Sequence, residues 1–331
     1  MQSLRRRARR LIGASGADDT AELLRRIKQL DQEVRESTKR LDKRIRKLTI
    51  EQQRLLGDRG VAGQLWEMRT AQRAVLRRLY LDHGRLTPPH DLLVQRFQLE
   101  SQNEEDGITW ALLIRAGVET RRFVEIGAGV NGGNSGFLAR ECGWSGLMIE
   151  AEEARAASLR RRLDPARVAV AAQRVSRENV NEILETHGAS GQADLLSIDI
   201  DGNDYWVWEA LTQCAPRVVV IEYNAWLGPE RRLVVPYDPD FDRNRLGQRR
   251  YYGASLAALE ALGRRKGYRL IVTEPRRVNA FFVRADLAPS LPTLPAAAAF
   301  ALHGDGERTD QCRQVLEGFR QRGLPLEEIP A

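Results

Sequence analysis

Only three cysteines occur in 331 residues: Cys142, Cys214 and Cys312, far apart and without paired spacing. So few exclude a disulfide framework or a zinc ribbon and fit a reducing compartment. No apolar stretch approaches the ~20 residues that span a bilayer. The N-terminal arginines are not followed by an apolar run, so no secretory signal is read there. A soluble cytoplasmic protein is the expectation. Lysine is scarce too, 5 against 47 arginines, a bias that reads first as genome composition. Positive charge is also missing from most of the chain. Residues 1–60 hold 17 Lys+Arg and 9 Asp+Glu, a net of +8, whereas the other 271 residues hold 35 and 36, a net of −1. A uniformly basic nucleic-acid protein is excluded, and no specific nucleic-acid partner is expected; a basic arm on a near-neutral body remains.

Residues 1–17 form a basic segment, and 18–57 read as a helical arm. The stretch 18–56 has no Gly or Pro and is rich in helix formers. Ile27, Val34, Leu41, Leu48 and Leu55 recur every seven residues. The second apolar position starts as Leu23 and Leu30 and decays to Ser37, Arg44 and Glu51. That seam predicts an imperfect coiled coil and a homo-oligomer through residues 18–56. Peripheral contact of the arm with an anionic membrane surface is the second expectation. Residues 58–94 read as a helical connector, ended at Pro88-Pro89.

Over 95–285 short apolar runs alternate with helical patterns. Strands are predicted at 122–126, 147–150, 168–172, 193–200, 218–223, 268–273 and 280–283. Helices are predicted at 135–142, 152–163, 177–187, 205–213 and 255–266. This alternation implies a parallel sheet covered on both faces. The last two strands are too close for a crossover and must form an antiparallel hairpin. The pattern predicts an α/β fold of the class I methyltransferase (Rossmann-like) kind, a doubly wound sheet ending in an antiparallel hairpin. Residues 286–331 read as a Pro/Ala linker and a tail with one helix, 309–322.

Phe123-Val124-Glu125-Ile126 runs into Gly127-Ala128-Gly129-Val130-Asn131-Gly132-Gly133. Glycines after a strand permit a sharp turn and close approach of a ligand to the backbone. Gly127, Gly129 and Gly132 also fit the dinucleotide fingerprint. Two carboxylates decide between ligands. Glu150 ends the second strand, where two acceptor oxygens suit a ribose diol. Glu125 precedes the glycines, where a carboxylate favours the ammonium of S-adenosylmethionine and opposes a pyrophosphate. The fourth strand closes with Asp199 and Asp201, and the fifth with Glu222 and Asn224. Ligands in open α/β sheets sit outside the carboxyl ends of the strands, so these four should converge beside the glycine loop. Either Asp199, Asp201, Glu222 and Asn224 hold Mg²⁺ or Mn²⁺, or Asp199 and Asp201 act as bases or hold the cofactor without metal. A third reading has Asp201-Gly202-Asn203 only capping the next helix.

Ser101-Gln102-Asn103-Glu104-Glu105-Asp106-Gly107, Phe123 to Gly129 and Gly143-Trp144-Ser145-Gly146-Leu147-Met148-Ile149-Glu150 resemble FkbM-type methyltransferases. The runs 194–206, 218–224, 235–239 and 252–255 extend the resemblance over about 95–285. It implies S-adenosylmethionine-dependent O-methylation, often of sugar hydroxyls. Carried over by position, Glu125, Gly127, Ala128, Gly129, Glu150 and Asp199 bind the cofactor, Gln102 and Asp106 close over it, and Asp199 and Asp201 are catalytic. Tyr205 and Trp206, with Tyr237 and Tyr252 from the arginine-rich connection 225–252, are expected to face a carbohydrate or glycosylated acceptor. Two rivals stand beside this reading. One is an NAD(P)-dependent oxidoreductase or epimerase on the same loop, disfavoured because the only lysine beyond the arm is Lys266. The other is a non-catalytic coiled-coil assembly protein that retains the fold.

Overall fold

The computed structural model describes residues 92–243, 248–303 and 306–330, and before them only Arg26, Gln29, Gln32 and Glu36. Those four are helical and exposed, inside the predicted arm. Arg26 donates to Gln29 and Gln32 to Glu36, both at 3.2 Å. The heptad residues Ile27, Val34, Leu41, Leu48 and Leu55 lie outside the described residues. The chain divides into two units, Met1–Val75 and Leu76–Ala331; the sheet and the site belong to the second.

The strands are β1 (Arg122–Ile126), β2 (Ser145–Glu150), β3 (Val168–Ala172), β4 (Gly191–Ile198), β5 (Cys214–Glu222), β6 (Leu233–Val234), β7 (Tyr268–Thr273), β8 (Asn279–Arg284) and β9 (Glu327–Glu328). Seven of them form one sheet in the order β3-β2-β1-β4-β5-β8-β7. β1 to β5 are parallel, and β8 is antiparallel to both β5 and β7. This is the doubly wound order, reversing between β1 and β4 and closed by an antiparallel hairpin, of the class I methyltransferase fold.

The helices are α1 (Glu105–Ala116), α2 (Gly136–Arg140), α3 (Glu153–Arg160), α4 (Val180–Thr186), α5 (Asp204–Ala210), α6 (Leu256–Arg265), α7 (Ala296–Ala301) and α8 (Gly306–Gln321). Because side chains alternate across a strand, each strand feeds two cores. Phe123, Leu195, Val218, Val220 and Phe281 pack with α1 and α2 on one face. Val124, Leu196, Val219, Ile221 and Phe282 pack with α4, α5 and α6 on the other. Sheet residues apolar on both faces leave no solvated side, which is why these strands read as continuous apolar runs.

Three features depart from the sequence reading. α1 is assigned to no element by the pattern, yet Ile108, Ala111, Leu112 and Leu113 are all buried. Residues 286–303 are not a free linker: Leu294 donates its amide to Leu270 O at 2.9 Å, and Ala296, Ala299 and Phe300 are buried. The tail also folds back. β9 pairs antiparallel with β6, and Val315 and Phe319 of α8 join Leu227, Leu233, Val235 and Tyr251 in a third core. The connection 225–252 is thus held by the C-terminal tail.

Candidate active site

The carboxyl ends of β1, β2, β4 and β5 meet at the reversal of strand order. Glu125, fully buried, stands in register with Ser197 of β4. Its Oε1 accepts from Ser197 Oγ (2.9 Å) and Asn134 N (3.3 Å); its Oε2 accepts from Ser135 N (2.9 Å) and Ser135 Oγ (2.6 Å). Glu125 therefore curls the glycine loop around itself. Gly133 is required there, since a Cβ would lie 2.1 Å from Glu125 Oε1. Burial pushes the Glu125 carboxyl up to about 7, against the pull of the Ser135 and Ser197 hydroxyls and two amides.

Gly127 has φ +91°, and a Cβ on it would lie 1.7 Å from the Asp199 carbonyl oxygen. The turn after β1 and the end of β4 are thus in backbone contact, tied by Asp199 N donating to Ile126 O at 2.9 Å. Gly127 and Ala128 both donate to Ile149 O of β2 (2.9 and 3.0 Å). Glu150 closes the loop from the other side, its Oε2 accepting from Gly129 N (2.8 Å) and its Oε1 from Glu152 N (2.9 Å). A carboxylate has about four lone-pair positions, so both oxygens can still accept from a diol.

Asp106 and Gln102 are placed otherwise than expected. The buried Asp106 carboxylate accepts from the amides of Leu99 (2.6 Å), Glu100 (2.8 Å) and Ser101 (3.2 Å). It fixes the 99–101 turn, whose Glu100 carbonyl accepts from Asn131 Nδ2 (2.5 Å) of the glycine loop. Asp106 thus acts on the loop at one remove. Gln102 is exposed, and its carbonyl accepts from Gln98 Nε2 at 3.0 Å.

Past β4 the acids gather. Carboxylate oxygens of Asp199, Asp201 and Glu222 all lie within 4.8 Å of one another. Burial holds Asp199 and Glu222 well above the usual carboxylate range, and neighbouring acids add to the rise in both. Asp201 is the exposed member, with φ +59°, and pairs with Arg243 at 2.7 Å. Asp201 does not cap the turn. That work falls to Asp204, which the sequence reading did not single out: it accepts from Ile200 N (2.8 Å) and Gly202 N (2.9 Å), and burial raises it to about 6. Asn224 is turned to the backbone, its Nδ2 donating to Arg250 O and Tyr252 O (both 2.8 Å) and its Oδ1 accepting from Trp226 N (2.9 Å). It anchors the 225–252 connection rather than completing the acidic cluster.

Two buried acceptors border this cluster without a hydrogen-bond partner among the described residues: Glu222 Oε2 and Asn279 Oδ1. The two residues face each other in the β5–β8 register. Orphaned acceptors beside carboxylates call for a donor or a cation. The all-oxygen donor set of Asp199, Asp201 and Glu222 suits Mg²⁺ or Mn²⁺.

The aromatic residues divide. Tyr252 borders the site, since Arg243, the ion-pair partner of Asp201, lies 5.0 Å over its ring. Trp206 and Tyr237 meet edge to face at 6.2 Å, and Arg177 lies 4.6 Å over Tyr237. Tyr205 is fully buried in the core, its hydroxyl donating to Glu209 (3.2 Å) and accepting from Arg265 (2.8 Å). The helical phase of α5 turns it inward with Trp208, which removes it from the acceptor-facing set. A cleft of about 240 Å³ lies between Glu152, Val175 and Ile200 beyond β2, β3 and β4, walled by Phe241 and Arg243.

No family model matches the chain, and no curated protein matches it. Solved structures similar to it include an O-methyltransferase from Bacillus cereus in complex with SAH, with 17% identity over 65% of this chain and 87% of that one, TM-score 0.35. A putative caffeoyl-CoA O-methyltransferase from Staphylococcus aureus has 15% identity over 67% and 98%, TM-score 0.37. A putative O-methyltransferase from Klebsiella pneumoniae has 19% identity over 65% and 97%, TM-score 0.35. At such TM-scores the fold rests on the strand order of the chain itself, which is that of class I methyltransferases.

Proposed function

We propose that the chain is an S-adenosylmethionine-dependent O-methyltransferase of the FkbM type, acting on a hydroxyl of a carbohydrate or glycosylated acceptor. The observation that carries this is one glycine loop held between two acids, Glu125 inside it and Glu150 at its Gly129 amide. A pyrophosphate at this loop would meet Glu150 and the strand-end acids beside it, which disfavours the dinucleotide alternative. When bound, S-adenosylmethionine supplies an electrophilic methyl group on a sulfonium. In this reading Glu150 holds the ribose diol and the 240 Å³ cleft takes the nucleoside. Positioning then supplies much of the rate.

Asp199 sits at the centre of the acids and, in the absence of a metal, is the base for the acceptor proton. Arg243 holds Asp201 in place through their ion pair. Asp199, Asp201 and Glu222 would hold a divalent metal, which lowers the pKa of a bound hydroxyl; the orphaned Glu222 and Asn279 oxygens favour this over a metal-free site. Trp206, Tyr237 and Tyr252 offer aromatic faces to a sugar. The arm 18–56 serves self-association, with an anionic membrane surface as its other partner. Incubation with methyl-labelled cofactor and candidate glycans, followed by product mass, tests the assignment. A gain of one methyl on a sugar hydroxyl supports it; cofactor binding without transfer to any glycan favours the scaffold reading.

A further inference from the structure

A second site lies where α8 meets the 225–252 connection, and the methyl-transfer reading makes no use of it. Trp226 carries two guanidiniums: the Arg250 carbon is 3.8 Å from the ring centroid and the Arg308 carbon 3.7 Å. Two groups so close to one centroid cannot share a face, so they cover opposite faces. The indole is therefore closed to a stacking base or sugar, and serves to hold two like charges at fixed places. Asn224 fixes the frame by bonding both Trp226 N and Arg250 O. Cys312 Sγ, donating to Ala225 O at 3.2 Å, pins α8 against it.

Beside this clamp opens a cavity of about 600 Å³ lined by Arg249, Arg250, Arg322, Gln248, Gln311 and Gln314, with no Asp or Glu in its wall. Arg322 donates to Gln248 Oε1 (2.6 Å), which leaves the Gln248 amide nitrogen as a further donor. Among the described residues Arg249, Arg250 and Arg308 have no carboxylate partner within 4.0 Å, and Arg308 Nε is buried without a hydrogen-bond partner. Burial and the fields of Arg277 and Arg250 act together to lower the Arg308 pKa. Elsewhere the exposed arginines of this region do find acids: Arg231 with Glu328, Arg313 with Asp310, Arg320 with Glu317. A cavity that gathers cations, excludes carboxylates and keeps amide donors free is complementary to a multiply charged oxyanion.

We infer that the Arg249–Arg250–Arg322 pocket beside Trp226 binds a phosphoryl group, as a phosphate ester or diphosphate, with Arg308 holding Trp226 from its far face. A dianion answers the charge of Arg249, Arg250 and Arg322 better than a single carboxylate, and guanidinium forks match phosphate oxygens in pairs. The inference stands apart from methyl transfer, and its test needs no turnover.

The test is calorimetric titration of the full chain with sodium pyrophosphate at physiological salt, with glucuronate in a parallel arm. Saturable binding of one pyrophosphate per chain is expected, weakened roughly ten-fold or more by R250Q and by R322Q. R249Q, an exposed change, should weaken it with unaltered melting, which separates lost binding from lost folding. Glu150→Ala, at the other site, should leave it unchanged. Binding that persists in all three arginine variants would place the anion on the basic N-terminal arm and overturn the proposal. So would tighter binding of glucuronate than of pyrophosphate, or no saturation in the millimolar range.

Discussion

Glu125→Gln sets burial against hydrogen bonding at one carboxyl. In the folded chain burial lifts Glu125 from 4.5 to about 7, although four donors face it. A raised folded-state pKa means the native state holds the proton more tightly than the unfolded chain. The stability from this group is thus full below about 4.5 and lost as pH climbs to about 7. At ~1.4 kcal/mol per unit, the loss is about 3 kcal/mol. Glutamine cannot titrate, but it replaces one acceptor oxygen by a donor and leaves Ser135 N or Asn134 N unpaired, which costs about 1–3 kcal/mol. Urea denaturation of both proteins from pH about 4.5 to about 7.5 gives the difference in stability at each pH. The wild type should lead at the acid end, and its lead should shrink by about 3 kcal/mol toward neutrality. A lead that is constant, or that grows with pH, would refute the reasoning and mean that the four donors outweigh burial.

Gly127→Ala should cost at least about 3 kcal/mol, read as a fall in urea midpoint or in folded yield, because the new Cβ meets the Asp199 carbonyl at 1.7 Å and the residue must keep φ +91°. Glu222→Gln should raise the melting temperature of the metal-free protein by removing a buried carboxylate oxygen without a partner. Added Mg²⁺ or Mn²⁺ should raise the wild-type melting temperature and leave the variant unmoved; equal shifts in both would count against the metal. Deleting residues 1–60 should lower the number of chains per particle in light scattering and spare cofactor affinity, whereas an unchanged number of chains would remove self-association from the arm.

The sheet was legible because its central strands are apolar on both faces and stop at a glycine (β1) or an acid (β2, β4 and β5). The strands at 122–126, 168–172 and 268–273 coincide with the predicted bounds. α1 escaped because its apolar residues ring the helix and leave no 3.6-residue contrast. The β6–β9 pairing escaped because two-residue strands nearly a hundred positions apart carry no local signal. At the site, strand-end acids followed from topology alone, which brought out Asp199, Asp201 and Glu222. The partners of Glu125 did not follow, since Ser197 reaches it only through the β1–β4 register and Ser135 only through the curl of the loop. Tyr205 was misjudged on residue type; helical phase places it with Trp208 in the core.

The most direct test of the central claim is calorimetry with S-adenosylhomocysteine on the wild type and Glu150→Ala, with NADH as the competing ligand. Binding of S-adenosylhomocysteine by the wild type is expected, weakened by roughly ten-fold or more in Glu150→Ala, with no binding of NADH. NADH binding in the absence of S-adenosylhomocysteine binding, or affinity indifferent to Glu150, would contradict the account.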